Sequence, residues 1–283
     1  MADRFRMLAL AVVLTCGVIA FAPTARAAGV ERPDFGGRTM IVYVPASLPP
    51  TGARPLVVVL HGGLGNADRI YAGGAEKGLN LNALADKDGF IVVYLNGTSV
   101  TKMMGPQFKG WNAGGGCCGV PSAENVDDVG YIGRAVGYLA DHYGVDRTRV
   151  FAIGHSNGAI MAQRMACETD VFAAIVAVSG PLNLHIETCP KGRGRRILAI
   201  HGAQDQNVPI QGGVGTKGVS GVDFRSEAAS RRTWEASGAV YSLDLVQGAD
   251  HMLGNIDAAM VKAEGVTVGQ KAVAFFGLRS AIP

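Results

Sequence analysis

The chain has 283 residues, 48% of them hydrophobic and 17% charged. It is apolar enough to bury a full core, which excludes a disordered protein. The formal net charge of +3, with no long basic run, leaves no electrostatic footprint for nucleic acid.

The N-terminus reads as a targeting segment. Arg4 and Arg6 precede an apolar stretch from Met7 to Ala22, and Ala25-Arg26-Ala27 offers small residues at a cleavage site. Residues 1–27 are therefore expected to be a signal peptide. A single catalytic domain would then run over 28–283, secreted to the exterior or periplasm. Leu14-Thr15-Cys16 is a loose lipobox and keeps a lipoprotein alternative open. No later segment is long and apolar enough to span a bilayer, so no membrane association is expected after removal of the leader.

Export implies an oxidising compartment. Cys117, Cys118, Cys167 and Cys189 remain in the mature chain, which fits two disulfides with three connectivities. The favoured pair is Cys167–Cys189, which would tie the end of one helix to the segment after the next strand. That leaves Cys117 and Cys118 as a vicinal pair or as two free thiols. Zinc is the rival, but adjacent cysteines with the other two distant make poor tetrahedral ligands.

The predicted elements alternate in type. Arg38–Val44 and Pro55–Leu60 read as strands, the second apolar throughout and hence buried on both faces. Leu79–Asp88 reads as a helix and Phe90–Leu95 as a strand. Val126–Tyr143 reads as a helix, with Val129, Ile132, Val136 and Leu139 at helical spacing and Asn125 or Asp127 near its start. Arg149–Ile153 is a strand, Ser156–Cys167 a helix, and Phe172–Val178 and Ile197–His201 are strands. Phe224–Ser237 is a helix, Val240–Val246 a strand and Val268–Leu278 a last helix. Lys191–Arg196, short and glycine-interrupted, reads as a solvated loop. This alternation implies an α/β fold, a mostly parallel central sheet with helices on both faces. In such sheets ligand sites lie beyond the carboxyl ends of the strands.

Four strand ends carry complementary chemistry: His61-Gly62-Gly63, Ser156, Asp205 and His251. Gly154-His155-Ser156-Asn157-Gly158 is a weak signal alone in a chain with 40 glycines, and a serine at a helix start also serves as an N-cap. Its position between a buried strand and a helix is the setting of a nucleophile elbow. A serine nucleophile needs a base, and the base an orienting carboxylate. In α/β-hydrolases these follow in the order Ser, Asp or Glu, His, as do Ser156, Asp205 and His251. The bland readings are a turn aspartate and a surface histidine. The oxyanion hole needs two amides, expected from Asn157 and from Gly63 or Leu64. His61 and His201 read as structural, His142 and His185 as surface groups, and His155 as packed within the elbow. Asp127 and Asp128 read as capping or loop-anchoring groups rather than as an acid–base pair. No phosphate or dinucleotide fingerprint is present.

At Leu60-His61-Gly62-Gly63, Gly110-Trp111-Asn112 through Cys117-Cys118-Gly119, Val126-Asp127-Asp128-Val129-Gly130-Tyr131, the elbow, and His201-Gly202 to Val208-Pro209, the chain resembles a family of secreted α/β-hydrolases. That family includes LpqC-like proteins, poly(3-hydroxybutyrate) depolymerases and feruloyl or acetylxylan esterases. The resemblance runs over nearly the whole mature chain. It implies a Ser-Asp-His carboxylic ester hydrolase without metal or other cofactor. One departure stands out. The family's Gly-His-x-Trp-Pro is here Asp250-His251-Met252-Leu253-Gly254, which weakens transfer of a particular substrate. Trp111 and His155 are candidates for substrate contact, Trp111 equally for the core. The expectation is a monomer acting on feruloyl- or acetyl-type esters of plant polysaccharide or on related small esters. Hydroxybutyrate polymer or oligomer is the alternative, and a non-catalytic exported binding protein on the same scaffold is the alternative from another class.

Overall fold

A computed structural model describes residues 28–48 and 52–278. The expected leader and the Cys16 lipidation alternative lie outside them. Every residue of Arg54–Leu60 is buried, as the unbroken apolar run implied. This strand pairs in parallel on both edges and carries helices on both faces. Leu56, Val58 and Leu60 pack into one core layer, and Val57 and Val59 into the other. With no solvent face, the polar half of the usual alternation disappears.

The main sheet has eight strands: β1 Gly29–Glu31, β2 Ile41–Val44, β3 Arg54–Leu60, β4 Ile91–Leu95, β5 Val145–His155, β6 Ala174–Val178, β7 Arg196–Gly202 and β8 Val240–Val246. Their order is β1-β2-β4-β3-β5-β6-β7-β8. β1 and β2 pair antiparallel, as do β2 and β4, and the remaining pairs are parallel. The helices are α1 Ala67–Tyr71, α2 Asn82–Asp88, α3 Gly119–Ala123, α4 Asp128–Tyr143, α5 Asn157–Glu168, α6 Glu227–Ala236, α7 Leu253–Glu264 and α8 Val268–Phe276. Ile132, Met161 and Trp234 of α4, α5 and α6 fill one layer; Ile256 and Phe276 of α7 and α8 fill the other. None of the described helices is long and apolar enough to cross a membrane.

Several elements differ from the sequence expectation. Arg38–Val44 is broken at Met40, whose N–H donates to Pro33 O; Arg38–Thr39 pairs instead with Asp34–Phe35. The helix expected over 79–88 is a 3-10 turn, Lys77–Leu79, followed by α2. The break has a cause: the Leu81 N–H donates to the Tyr94 hydroxyl at 3.0 Å, and that of Asn82 to the Asn80 side chain at 3.1 Å. The helix expected from Phe224 begins only at Glu227, capped by the Ser226 hydroxyl. α1, α3 and α7 stand outside the expected elements; α1 and α3 are five residues long, and α7 starts in a stretch rich in turn residues.

Asp127 caps α4 by accepting from the Gly130 N–H at 2.8 Å. Asp128 is buried and anchors the loop before it, accepting from the Asn112 N–H at 2.7 Å and pairing with Arg38 at 2.5 Å. The two aspartates thus cap and anchor, as their place at a helix start implied. The Arg38 guanidinium also lies over the Tyr131 ring, 4.1 Å from its centroid. Cys167 is bonded to Cys189, and Cys117 to Cys118. A buried carboxylate that loses its cation is costly. Arg38→Met is accordingly expected to lower stability by roughly 3–5 kcal/mol, read as a drop in the urea midpoint at unchanged m-value.

Candidate active site

The site is built where β3, β5 and β6 end level with one another: Leu60 is paired with Gly154, and Val178 with His155. Beyond that line the chain turns sharply. Ser156 adopts φ 53° and ψ −123°, a conformation L residues rarely take, and its N–H donates to Val178 O at 2.8 Å. The turn requires its glycines. A Cβ on Gly154 would lie 2.3 Å from Gly158 O, and one on Gly158 would lie 2.2 Å from Leu60 O. The pattern that was weak as a string of letters is therefore a steric requirement here.

Three side chains from separate strand ends meet at this turn. The Ser156 hydroxyl lies 2.9 Å from His251 Nε2, and His251 Nδ1 lies 2.7 Å from Asp205 Oδ2. Asp205 Oδ1 accepts from the N–H groups of Asn207 and Val208 at 2.8 and 2.9 Å. His201 Nε2 adds a contact to Oδ2 at 3.2 Å. Burial alone would raise the Asp205 pKa, but hydrogen bonds from His201 and His251 hold it well below the usual carboxylate range. His251 is shifted below its ordinary value, first by burial and then by the nearby His155, with Asp205 opposing. A neutral imidazole bonded to a carboxylate on one nitrogen presents its other nitrogen to the hydroxyl as an acceptor.

The amides expected to face a developing oxyanion also lie here. The Gly62 N–H is committed to Glu76 and the Gly65 N–H to Gly62 O, which leaves the Gly63 and Leu64 amides between them. Leu64 holds φ 65°, so this turn is strained at a residue other than glycine. Asn157 opens α5, where the first N–H groups have no intrahelical acceptor. Its side chain accepts from the Trp111 N–H at 2.7 Å and donates to Trp111 O at 3.0 Å.

Those bonds correct one expectation. Trp111 is fully buried, lies tilted against the His61 ring with centroids 4.9 Å apart, and donates Nε1–H to His61 O at 2.9 Å. It braces the floor of the site and does not line the cavity. His61 accepts from the Gly97 N–H at Nε2 and bonds Gly62 O through Nδ1, which defines a neutral tautomer, and burial pushes its pKa down to about 4. His201 is structural in another way. Nδ1 donates to Glu227 at 2.8 Å and Nε2 to Val208 O at 2.9 Å, so both nitrogens carry protons. Despite the opposing effect of burial, its hydrogen bonds to Asp205 and Glu227 push its pKa up to about 10.

A cavity of about 690 Å³ opens above Ser156. Its walls include Ile160, the Cys117–Cys118 disulfide, Val208 and Phe224, and its mouth carries Met104, Val219 and Met252. His155 reaches this cavity, yet its ring nitrogens are committed to Glu76 and to His251 O. Met252 follows the histidine, and Leu253, where the family's tryptophan would stand, is buried in the core. Glu76 and Glu227 belong to no motif. Glu76 lies in a stretch without periodicity, and Glu227 reads only as a helix-start acid.

The fold is of the α/β-hydrolase type. The family model described as Esterase PHB depolymerase matches residues 40–186, and the chain belongs to this family. It is 34% identical over 168 residues to the putative esterase NocK of Nocardia uniformis subsp. tsuyamanensis, covering 56% of this chain and 42% of that protein. It is 29% identical over 181 residues to feruloyl esterase B of Piromyces equi, covering 62% of this chain and 31% of that one. The chain thus spans less than half the length of either. Among solved structures, LpqC, a poly(3-hydroxybutyrate) depolymerase from Bordetella parapertussis, superposes with a TM-score of 0.52 at 16% identity, over 89% of this chain and 95% of that one, a likeness of fold.

Gly158→Ala is expected to cost at least about 1–3 kcal/mol by overpacking. Gly137→Ala, in α4 with nothing within 4 Å of the added methyl, should stabilise by about 0.5–1 kcal/mol; chemical denaturation of both tests the pair. His201 is raised from 6.5 to about 10, so its pairing stabilises fully below pH 6.5 and that contribution fades as pH rises towards 10. The stability gap between wild type and His201→Gln should therefore narrow across that window in thermal melts.

Proposed function

We infer that the protein is an exported serine esterase, a single catalytic domain beginning near Ala28, in which Ser156 is the nucleophile, His251 the base and Asp205 its orienting carboxylate. The observation that carries this reading is the continuous chain Ser156 Oγ–His251–Asp205, at 2.9 and 2.7 Å, on the floor of a cavity. Ser156 Oγ attacks the ester carbonyl carbon while its proton passes to His251 Nε2. The tetrahedral oxyanion is held by the amide of Asn157 and by that of Gly63 or Leu64. On collapse the carbon–oxygen bond to the alcohol breaks and the imidazolium protonates the leaving oxygen. Water, deprotonated by His251, then attacks the acyl-enzyme, and the serine recovers its proton as the acid leaves. Nothing in this sequence of steps requires a metal or cofactor.

For the substrate, we favour esters of the feruloyl or acetyl type. Apolar walls and a volume of about 690 Å³ give room for an aromatic acyl group, and feruloyl esterase B is among the relatives. A second reading is hydroxybutyrate polymer or oligomer. It draws on Met104, Val219 and Met252, exposed by 44, 88 and 48% around the mouth, where an apolar chain could lie.

Ser156→Ala should reduce kcat/KM on a short aryl ester by at least about 1,000-fold with unchanged far-UV circular dichroism. Wild type, but not the variant, should be labelled by a fluorophosphonate. Retained turnover in the variant would overturn the assignment, and unlabelled, inactive wild type would favour a non-catalytic binding protein. Methyl ferulate, acetylated xylan and hydroxybutyrate oligomers, compared by kcat/KM, decide between the substrate readings.

A further inference from the structure

Glu76 lies on no element that carries the proposed triad. It precedes the 3-10 turn Lys77–Leu79, and its side chain is 12% exposed. Its Oε1 accepts from the Gly62 N–H at 2.9 Å and from His155 Nδ1 at 2.8 Å. The other nitrogen of that ring, Nε2, lies 2.9 Å from the backbone carbonyl of His251. The carboxylate fits only because two neighbours lack side chains. A Cβ on Gly62 would come within 2.8 Å of Oε1, and one on Gly65 within 2.8 Å of Oε2. One carboxylate therefore grips the loop bearing the Gly63 and Leu64 amides and, through His155, the peptide of the base.

The two oxygens facing the His155 ring are a carboxylate that already receives one N–H and a backbone carbonyl, which has no hydrogen to give. Both ring nitrogens must then donate, and the ring is an imidazolium. Its centroid is 5.0 Å from that of His251. A cation at that distance disfavours a second one, so it opposes protonation of the base in the resting enzyme.

The geometry points to Glu76 and His155 as a positioning pair for the proposed triad: a buried carboxylate–imidazolium couple that fixes the oxyanion loop and the His251 backbone together and keeps His251 unprotonated in mildly acidic solution. This inference rests on the reading of His251 as the base. The charged groups in play are few. Asp205, His155 and His201 face His251, with Asp250 beside it in the chain, and His61, His251 and Asp205 face the pair. Asp250 is turned away, its carboxylate accepting from Met252 N–H and the Asn255 amide. His61 is neutral by its tautomer. Burial, the largest single influence, lowers the His155 pKa, but the hydrogen bond and charge of Glu76, the His251 carbonyl and the Asp205 charge together outweigh it and the net shift is upward, in agreement with the hydrogen-bond count.

Two measurements test the pair. In the first, the histidines of the intact wild-type protein are labelled with 15N and observed by NMR at pH 7, with resonances assigned through single His variants. His155 is expected to show two protonated nitrogens and His251 one; a neutral His155 overturns the proposal without reference to activity. In the second, Glu76→Gln/His155→Gln removes both charges together, so that neither is left buried alone. The acidic limb of its kcat/KM–pH profile should move up by roughly 0.5–1 pH unit, the scale left by a cation 5.0 Å away whose counter-ion cancels most of its field. kcat should fall about tenfold as the His251 peptide loses its tether. A lower kcat with an unmoved acidic limb would make the pair merely structural and overturn the proposal. If the double variant does not fold, the NMR result decides. Ser156→Ala, assayed beside it, separates failure of this inference from failure of the triad: turnover there would condemn the triad, whatever the protonation of His155.

Discussion

The carboxyl edge of the sheet is registered by one close approach. The backbone of Gly158, at the start of α5, lies against the carbonyls of Leu60 and His61 at the end of β3, with no space for a methyl group between them. This contact sets how far the Ser156 turn projects above the sheet and how near the Gly62–Gly65 loop comes to it. Asn157 then clamps the Trp111 peptide from the same turn, and Trp111 returns a hydrogen bond to His61 O. The Ser156 turn, the Gly62–Gly65 loop and the floor are thereby tied into one piece, which would suit the proposed site, whose donors must be aimed before charge develops.

A second constraint is electrostatic. Two buried imidazolium rings, His155 and His201, flank His251, each bonded to a buried carboxylate outside the proposed triad, Glu76 and Glu227. The Tyr241 hydroxyl donates to the second oxygen of Glu227. Isolated charges would be too costly at such depth, but as hydrogen-bonded pairs they are tolerated, and they hold strand-end loops that share no regular secondary structure. Asp205 touches this arrangement through His201 as well as through His251, so the carboxylate of the proposed triad is itself oriented.

Much of this architecture was legible in the sequence because the sheet is built from apolar runs with nothing else to do. Pro55–Leu60, Phe90–Leu95 and Phe172–Val178 could scarcely be other than strands, and the polar residues just after Leu60, Ile153, His201 and Val246 were the natural candidates for chemistry. Cys167–Cys189 was the pairing that the order of elements favoured, and Asp127 was one of two residues offered at the start of a helix. What escaped was set by tertiary partners. The Tyr94 hydroxyl, thirteen residues away from Leu81, interrupts a helix that local propensity would continue. Glu76 acts 79 residues from His155, in a segment with no periodicity to mark it. Trp111 could line a pocket or fill a core equally well until its indole N–H had a partner. The nearby Cys117–Cys118 bond was one of two options for adjacent thiols.

The helix that follows Ser156 is held at both ends. Its first turn is pressed against β3, and Cys167, near its last, is tied to Cys189 ahead of β7. It can neither slide along its axis nor tilt, so whatever variation the cavity undergoes must come from its other walls. Two of those walls are stretches that carry no strand of the main sheet, around residues 100–104 and 218–224. The molecule is in this sense modular. A fixed anvil of backbone contacts carries the reactive groups, and two interchangeable loops give the cavity its shape. Transplanting those loops between family members would alter which molecules enter while leaving the anvil untouched.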